Sequence, residues 1–405
     1  MKTRISSLAL AIALALPGFV VAQSSEELQE LKEQVAALNA RIAELERRNR
    51  ESEQSSQPEQ QQAAAKPAEP SSESAPEPAQ AKPTWADRIA MKGDFRYRFE
   101  GIDEEGLKNR NRQRIRARLT LDAKVNDTTK VGIQLATGGS NPRSTNETLD
   151  GDGSAKDITL RQAYVNWKPM SELSLTAGKM PQPWSRDPID YFYDSDYMPE
   201  GMAVRFDAPA GFYGTGYWMQ IDERGGDQDT SLWGGEVGYK NKLFYASLGY
   251  QDFEDIEGFN PCYNGNCNGN TVDANGRLVN DFNIARVRAG ATLAGFNIFA
   301  SWARNGDADE DTAQSYGVVY GKVKDPGTWS IAAIYQDMEK DALYGGMIDA
   351  TFAAGRTAHD GYALKGTYAL SKNWETSFLW VDTDIDKLGN KRDYQRYQFD
   401  LLWKF

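Results

Sequence analysis

Tyr397-Gln398-Phe399-Asp400-Leu401-Leu402-Trp403-Lys404-Phe405, the closing run of the 405-residue chain, alternates with a period of two. Tyr397, Phe399, Leu401, Trp403 and Phe405 share one face; Arg396, Gln398, Asp400 and Lys404 share the other, with Leu402 among them. Side chains of a strand point alternately to its two faces, so this is a strand with one aromatic-aliphatic and one charged face. The pattern extends back to about Trp85. Phe95, Tyr97 and Phe99 alternate with Asp94, Arg96, Arg98 and Glu100; Ile115, Ala117, Leu119 and Leu121 alternate with Arg114, Arg116, Arg118 and Asp122.

About sixteen such segments follow one another, and their connections fall into two alternating kinds. One kind is short: Asn126-Asp127-Thr128, Pro169-Met170, Ala210, Lys240-Asn241, Ala294-Gly295, Asp325-Pro326 and Ser371-Lys372. The other is long and polar: 102–111, 138–156, 180–201, 223–230, 253–280, 306–311, 339–358 and 384–392. Tight turns on one rim and long loops on the other are the layout of a membrane barrel; a soluble sandwich has no reason to segregate loop length. The expected fold is an all-β transmembrane barrel of about 16 antiparallel strands over 85–405, preceded by an N-terminal α-helical coiled coil. An even strand number puts both barrel ends on the short-turn, periplasmic side, with outer-membrane lipid around the apolar face.

Composition agrees. The chain has 36 Gly, 19 Tyr and 10 Trp with 40% hydrophobic residues, and after the first ~20 residues has no run long enough for a membrane helix. Net charge is −12. Loss of Lys2 and Arg4 with a leader takes 46 basic residues to 44 against 58 acidic ones, or −14. That balance argues against nucleic acid as a partner. Cys262 and Cys267 are the only cysteines and sit in a Gly/Asn-rich loop; in an exported protein they read as one short disulfide.

Residues 1–22 read as a secretory signal peptide: basic Lys2 and Arg4, an apolar core from Leu8 to Leu16, then Val20 and Ala22 before the cut. Within 23–50, Leu28, Leu31, Val35, Leu38, Ile42 and Leu45 fall at spacings of 3, 4, 3, 4, 3, an a/d seam for a coiled coil between subunits. Branched residues at a with Leu at d lean towards two strands, whereas the barrel reading leans towards three. Residues 51–84, rich in Pro, Glu, Gln and Ala, cannot bury a core and read as a disordered linker.

Within the barrel, 179–201 stands out. Prolines at 181, 183, 188 and 199 exclude a regular helix or central strand. Five aromatics, among them Trp184, and the charged residues Arg186, Asp187, Asp190, Asp194, Asp196 and Glu200 fill it. Left in solvent the aromatics would be costly, so the loop is expected to fold inward as a constriction. If the apolar face meets lipid, the lumen is lined by Arg96, Arg98, Arg114, Arg116, Arg118, Arg205, Arg286, Arg288 and Arg396. Those of strands 1 and 2 form a cluster to be set opposite the acids of 187–200, and rings of charge set ion selectivity. Structural pairing of these arginines with Asp94, Glu100 and Asp122 is the other reading. Strand 157–168 is ambiguous: one phase exposes Gln162 and Asn166, the other Arg161.

Signs of catalysis are weak, so no enzyme and no cofactor are expected. The lone histidine, His359, reads as a solvated loop residue, and no Gly-rich phosphate loop is present. Asp150, Asp152 and Asp157, and Asp307, Asp309 and Asp311, cluster but do not match a calcium loop; no metal is expected.

Gly178-Lys179-Met180-Pro181-Gln182-Pro183-Trp184, then Asp194-Ser195-Asp196-Tyr197-Met198-Pro199-Glu200-Gly201, resembles the third loop of the putative-porin family of proteobacterial outer membranes, related to trimeric general porins and phosphate-selective porins. Trp184 stands where that family usually has Phe. The apolar face ending in Phe405 is similar to the insertion signal read by the barrel-assembly machinery. The resemblance implies a homotrimeric porin in a Gram-negative outer membrane, passing small hydrophilic solutes, with its N-terminal segment in the periplasm. A different class of function, a barrel anchor whose coiled coil tethers the membrane to peptidoglycan, is the alternative.

Overall fold

The computed structural model describes residues 88–387 and 390–405. The signal peptide, the coiled-coil seam from Leu28 to Leu45 and most of the linker lie outside the described residues, and with them the tether alternative.

The described chain is built of strands β1 (Ile89–Glu104), β2 (Arg110–Lys124), β3 (Thr129–Thr137), the two-residue β4 (Glu147–Thr148), β5 (Ile158–Met170), β6 (Leu173–Lys179), β7 (Glu200–Asp207), β8 (Phe212–Asp222), β9 (Thr230–Lys240), β10 (Phe244–Glu254), β11 (Phe282–Leu293), β12 (Phe296–Asn305), β13 (Thr312–Gly321), β14 (Trp329–Met338), β15 (His359–Ser371), β16 (Trp374–Lys387) and β17 (Asn390–Lys404). Leaving β4 aside, each long strand pairs antiparallel with the next. β17 then returns to β1, with Phe95 opposite Trp403 and Phe99 opposite Phe399. The result is a closed barrel of sixteen strands. Closure removes every sheet edge, so backbone polar groups are satisfied without water.

The period-two pattern places the side chains. On β17, Tyr397 and Phe399 are exposed on the outer surface while Arg396, Gln398 and Asp400 are buried inside. Near the short-turn rim the outer face carries a girdle of packed rings: Phe212–Tyr239–Phe244, Phe296–Tyr320–Trp329 and Trp374–Trp403, with centroid separations of 4.5–5.8 Å. Amphipathic rings favour the membrane–water boundary.

Three details differ from the sequence expectation. The expected loop 384–392 is mostly a hairpin, with Asp384 opposite Asp393 and Asp386 opposite Lys391. Its charged residues read as loop, yet β16 and β17 continue as a ribbon past the apolar belt. Loop 102–111 likewise shrinks to 105–109 because β1 and β2 run on. The ambiguity of strand 157–168 has a physical origin: a bulge breaks its register against β3, Gln134 facing Gln162 and Leu135 facing Leu160. An extra residue flips the alternation. Ile158 and Leu160 therefore point outward before the bulge and Val165 and Trp167 after it, while Arg161 is buried inside.

Candidate functional site: the lumen around loop 180–199

The chain leaves the wall for the lumen at a glycine neck. Gly178 and Gly201 face each other across β6 and β7. Gly178 has φ +115°, and a Cβ there would lie 2.3 Å from the Ala163 carbonyl oxygen; only glycine fits. Beyond the neck, Arg186 braces the loop by donating to the carbonyls of Asp190 (3.0 Å) and Tyr193 (2.6 Å). Met180, Trp184, Tyr191, Phe192 and Tyr193 are all buried. Trp184 packs on Tyr193 at 5.2 Å and on Tyr217 of β8 at 5.5 Å. Tyr217 can lie flat against the wall because its neighbour is Gly234, where a Cβ would meet the ring at 2.2 Å.

Charge fixes the loop to β11. Asp187 accepts from Arg288 at 3.0 Å and from Tyr245 Oη at 2.7 Å, and Ser301 Oγ donates to its other oxygen. Asp190 pairs with Arg286 at 2.9 Å. Burial alone would raise the Asp190 carboxyl, but Arg286 and Arg186 hold it below the ordinary carboxylate range. This corrects the expectation that the acids of 187–200 stand across the lumen from strands 1 and 2: Asp187 and Asp190 are taken by Arg286 and Arg288 beside them. Asp196 does approach the β1–β2 wall, 3.7 Å from Arg118, and accepts from Thr145 N and Oγ1 at 3.0 and 2.9 Å. Against burial, Arg116, Arg118 and Arg96 keep it below its usual range. Glu200 is not in the loop; it opens β7, exposed, paired with Lys179 at 2.5 Å.

A second loop also enters the lumen, and sequence reading missed it. Loop 339–358 reads as polar at its start, but Ala342, Leu343, Tyr344, Met347, Ile348, Phe352 and Ala353 are buried. Its backbone docks on loop 180–199: Asp194 N donates to Met347 O at 2.9 Å, Ala350 N to Asp194 Oδ2 at 2.8 Å, and Tyr191 packs on Phe352 at 5.4 Å. Arg143, from the loop after β3, reaches the carbonyls of Ile348 (3.2 Å) and Gly355 (2.9 Å) and Asn268 Oδ1 (2.6 Å). Arg396 donates to the carbonyls of Ala350 and Thr351 at 2.8 and 3.1 Å. Arg161 ties Asn141, Pro142 and Asp196 through their carbonyls at 3.1, 2.7 and 2.6 Å. A cue was present in the apolar and aromatic run 342–354, with Leu343, Tyr344, Met347, Ile348 and Phe352.

His359 is corrected as well. It opens β15, buried, with its ring 5.1 Å from Phe352, Nε2 against Gln336 at 2.9 Å and Nδ1 against the Arg356 carbonyl at 2.6 Å. The inward phase of β15 carries it beneath loop 339–358.

Along the β1–β2 wall arginines pair with carboxylates. Arg98 makes two 2.7 Å bonds to Asp400. Arg116 and Arg118 each lie 2.7 Å from Asp94. Arg112 and Arg396 share Glu100. On the short-turn side of loop 180–199, two recesses of about 430 and 390 Å³ share Ser185 and Arg205. Lys130 and Lys168 line one, Lys240 and Arg288 the other. Arg205 stands 4.4 Å from the Tyr213 ring centre and pairs with Asp207. Above, in loop 255–281, Cys262 and Cys267 are joined by a disulfide. On the outer face of β17, Leu401, Trp403 and Phe405 continue the series begun by Tyr397 and Phe399.

The family model described as Putative porin matches residues 103–319 and 282–405. No curated protein matches the sequence. Among solved structures, Pseudomonas putida OprB is similar at TM-score 0.54 and 12% identity, over 78% of this chain and 94% of that one. A loop-deletion mutant of OmpT, an outer membrane protein of Vibrio cholerae, gives 0.49 and 14% over 79% of this chain and 100% of that one. A triple mutant of Rhodopseudomonas blastica porin gives 0.48 and 14% over 78% and 100%. At these identities the likeness is one of fold.

Proposed function

The chain belongs to the putative porin family, and on that premise we propose an outer-membrane diffusion channel for small hydrophilic solutes with a preference for anions. The narrow passage lies between the basic β1–β2 wall and the two inward loops, 180–199 and 339–358. One observation carries this reading: inside a closed barrel, loop 180–199 is held by the pairs Asp187–Arg288 and Asp190–Arg286. With those two acids neutralised in place, Arg96, Arg98, Arg112, Arg114, Arg116 and Arg118 outnumber the carboxylates set against them, Asp94, Glu100, Asp196 and Asp400, and leave the passage net positive. Closely spaced cations between low-dielectric walls focus a positive potential. The channel is passive, set in a Gram-negative outer membrane as a homotrimer, with its N-terminal segment periplasmic.

Purified protein in a planar bilayer is expected to conduct in discrete steps, grouped in threes for a trimer. In a salt gradient the reversal potential should take the sign of anion preference. Replacing Arg114, Arg116 and Arg118 together by Ala should move it towards cations. A protein that never conducts overturns the channel, and clear cation selectivity overturns the role of the wall.

A further inference from the structure

We infer that Arg96, Arg114 and Lys365 form a binding site for a small oxyanion solute, a carboxylate or a phosphate, in the lumen wall. Its transport role rests on the channel reading above; binding itself does not.

Register puts Arg96 beside Arg116 and Arg98 beside Arg114 on β1 and β2, with Asp400 of β17 on the other side of Arg98. The carboxylates in this patch are committed. Asp94 serves Arg116 and Arg118, and Asp400 is bound by both forks of Arg98. Asp196 is shared by Thr145 and Arg118, Glu100 by Arg112 and Arg396, and Asp349 accepts from Thr351 N.

Arg114 and Lys365 are left without a carboxylate partner, and Arg96 has only a longer share of Asp400. Arg114 touches only neutral oxygens, Ser144 Oγ at 3.3 Å and Asn146 O at 3.2 Å. Arg96 bonds Asn146 Oδ1, stands 3.8 Å from Asp400, and its buried Nε has no partner. Lys365 is placed inward by the phase of β15, since Tyr362, Leu364 and Tyr368 are the exposed outer residues. Among the described residues it makes no hydrogen bond or ion pair, and its charged neighbours are Asp400, Arg98, Arg96 and Asp349. Sequence reading did not single it out.

Cations that outnumber their carboxylates in a poorly solvated wall repel one another, and an anion between them relieves that repulsion. Guanidinium forks fit planar carboxylates and phosphates in two-point contact, and a flexible ammonium adds a point charge. Ser144 Oγ, beside Arg114, adds a hydroxyl donor at the edge. That donor set selects an oxyanion over a bare halide.

The test is calorimetric titration of the detergent-solubilised full-length protein with inorganic phosphate and, separately, with malonate, alongside block of chloride current in bilayers. Saturable binding of either probe is expected. Lys365→Met or Arg114→Gln should weaken it about tenfold or more, as for loss of one charge-assisted contact. Lys365→Arg should restore it, which separates lost charge from lost folding. Lys324→Gln, on an exposed turn, should leave it unchanged. Absence of binding by both probes, or binding indifferent to Lys365→Met and Arg114→Gln, overturns the site. Conduction without binding retires the site and leaves the channel; binding without conduction does the reverse.

Discussion

Replacing Asp187 by alanine is expected to destabilise the barrel by about 3–5 kcal/mol, the cost of leaving buried charges without their partner. The Asp187 side chain is 2% exposed, and it serves Arg288, Tyr245 and Ser301 together, with Arg286 at 3.8 Å. Its removal strands two arginines of β11 in a wall that offers them Asp190 alone. The same contacts anchor loop 180–199, so the variant's single-channel conductance should be larger and noisier. Asp187→Asn keeps the shape and part of the hydrogen bonding, and should fall between the two. Urea unfolding of the refolded protein in lipid vesicles, followed by tryptophan fluorescence, measures the first effect; bilayer recordings measure the second. A stability change below ~1 kcal/mol, the size of an exposed ion pair, together with unchanged conductance would show that Asp187 holds nothing.

The wall of this protein was legible in the sequence, and the contents of its lumen were legible only in part. Sixteen strands could be read because each must present an apolar face to lipid, and that requirement repeats at every second residue. The hairpin at 384–392 escaped because, beyond the apolar belt, a strand meets water on both faces and alternation no longer carries a signal. The flip in β5 escaped because a bulge adds one residue without changing composition. Loop 180–199 announced its aromatics, but not its partners. Arg286 and Arg288 lie 96 and 101 residues from Asp190 and Asp187, and only ring closure makes them neighbours. Loop 339–358 was hidden by its opening Glu339, Lys340 and Asp341, which suggested a solvated loop. Lys365 sits on a strand that was counted as a segment without either face being followed residue by residue.

Arg143→Ala should make the seam between loops 180–199 and 339–358 more sensitive to pH. Two carboxyls are buried there. Asp194 accepts from Asp196 N and Ala350 N, and Asp349 from Thr351 N. Burial first, then Asp349 and Asp196, push the Asp194 carboxyl well above the ordinary range; burial pushes Asp349 up as well. The cations bearing on them are Arg143, Arg161, Arg186, Arg396 and Lys365. A raised carboxyl means that the docked seam binds more protons than the open one. It is therefore firmest below the ordinary aspartate value of ~3.9 and weakens as pH rises through the raised values. Above them the two carboxylates repel, and Arg143 supplies the opposing charge together with its bonds to Ile348, Gly355 and Asn268. Hydrogen bonds to a charged group contribute about 1.5–3 kcal/mol each, so losing all of them is enough to free loop 339–358. The variant should conduct like the parent in acid and with larger, flickering steps once the pH has risen past the raised values of both carboxyls. Adding Asp194→Asn and Asp349→Asn to Arg143→Ala should restore small steps throughout, because the repulsion is gone. Identical steps for parent and Arg143→Ala at every pH at which the barrel stays folded would mean that loop 339–358 does not bound the passage.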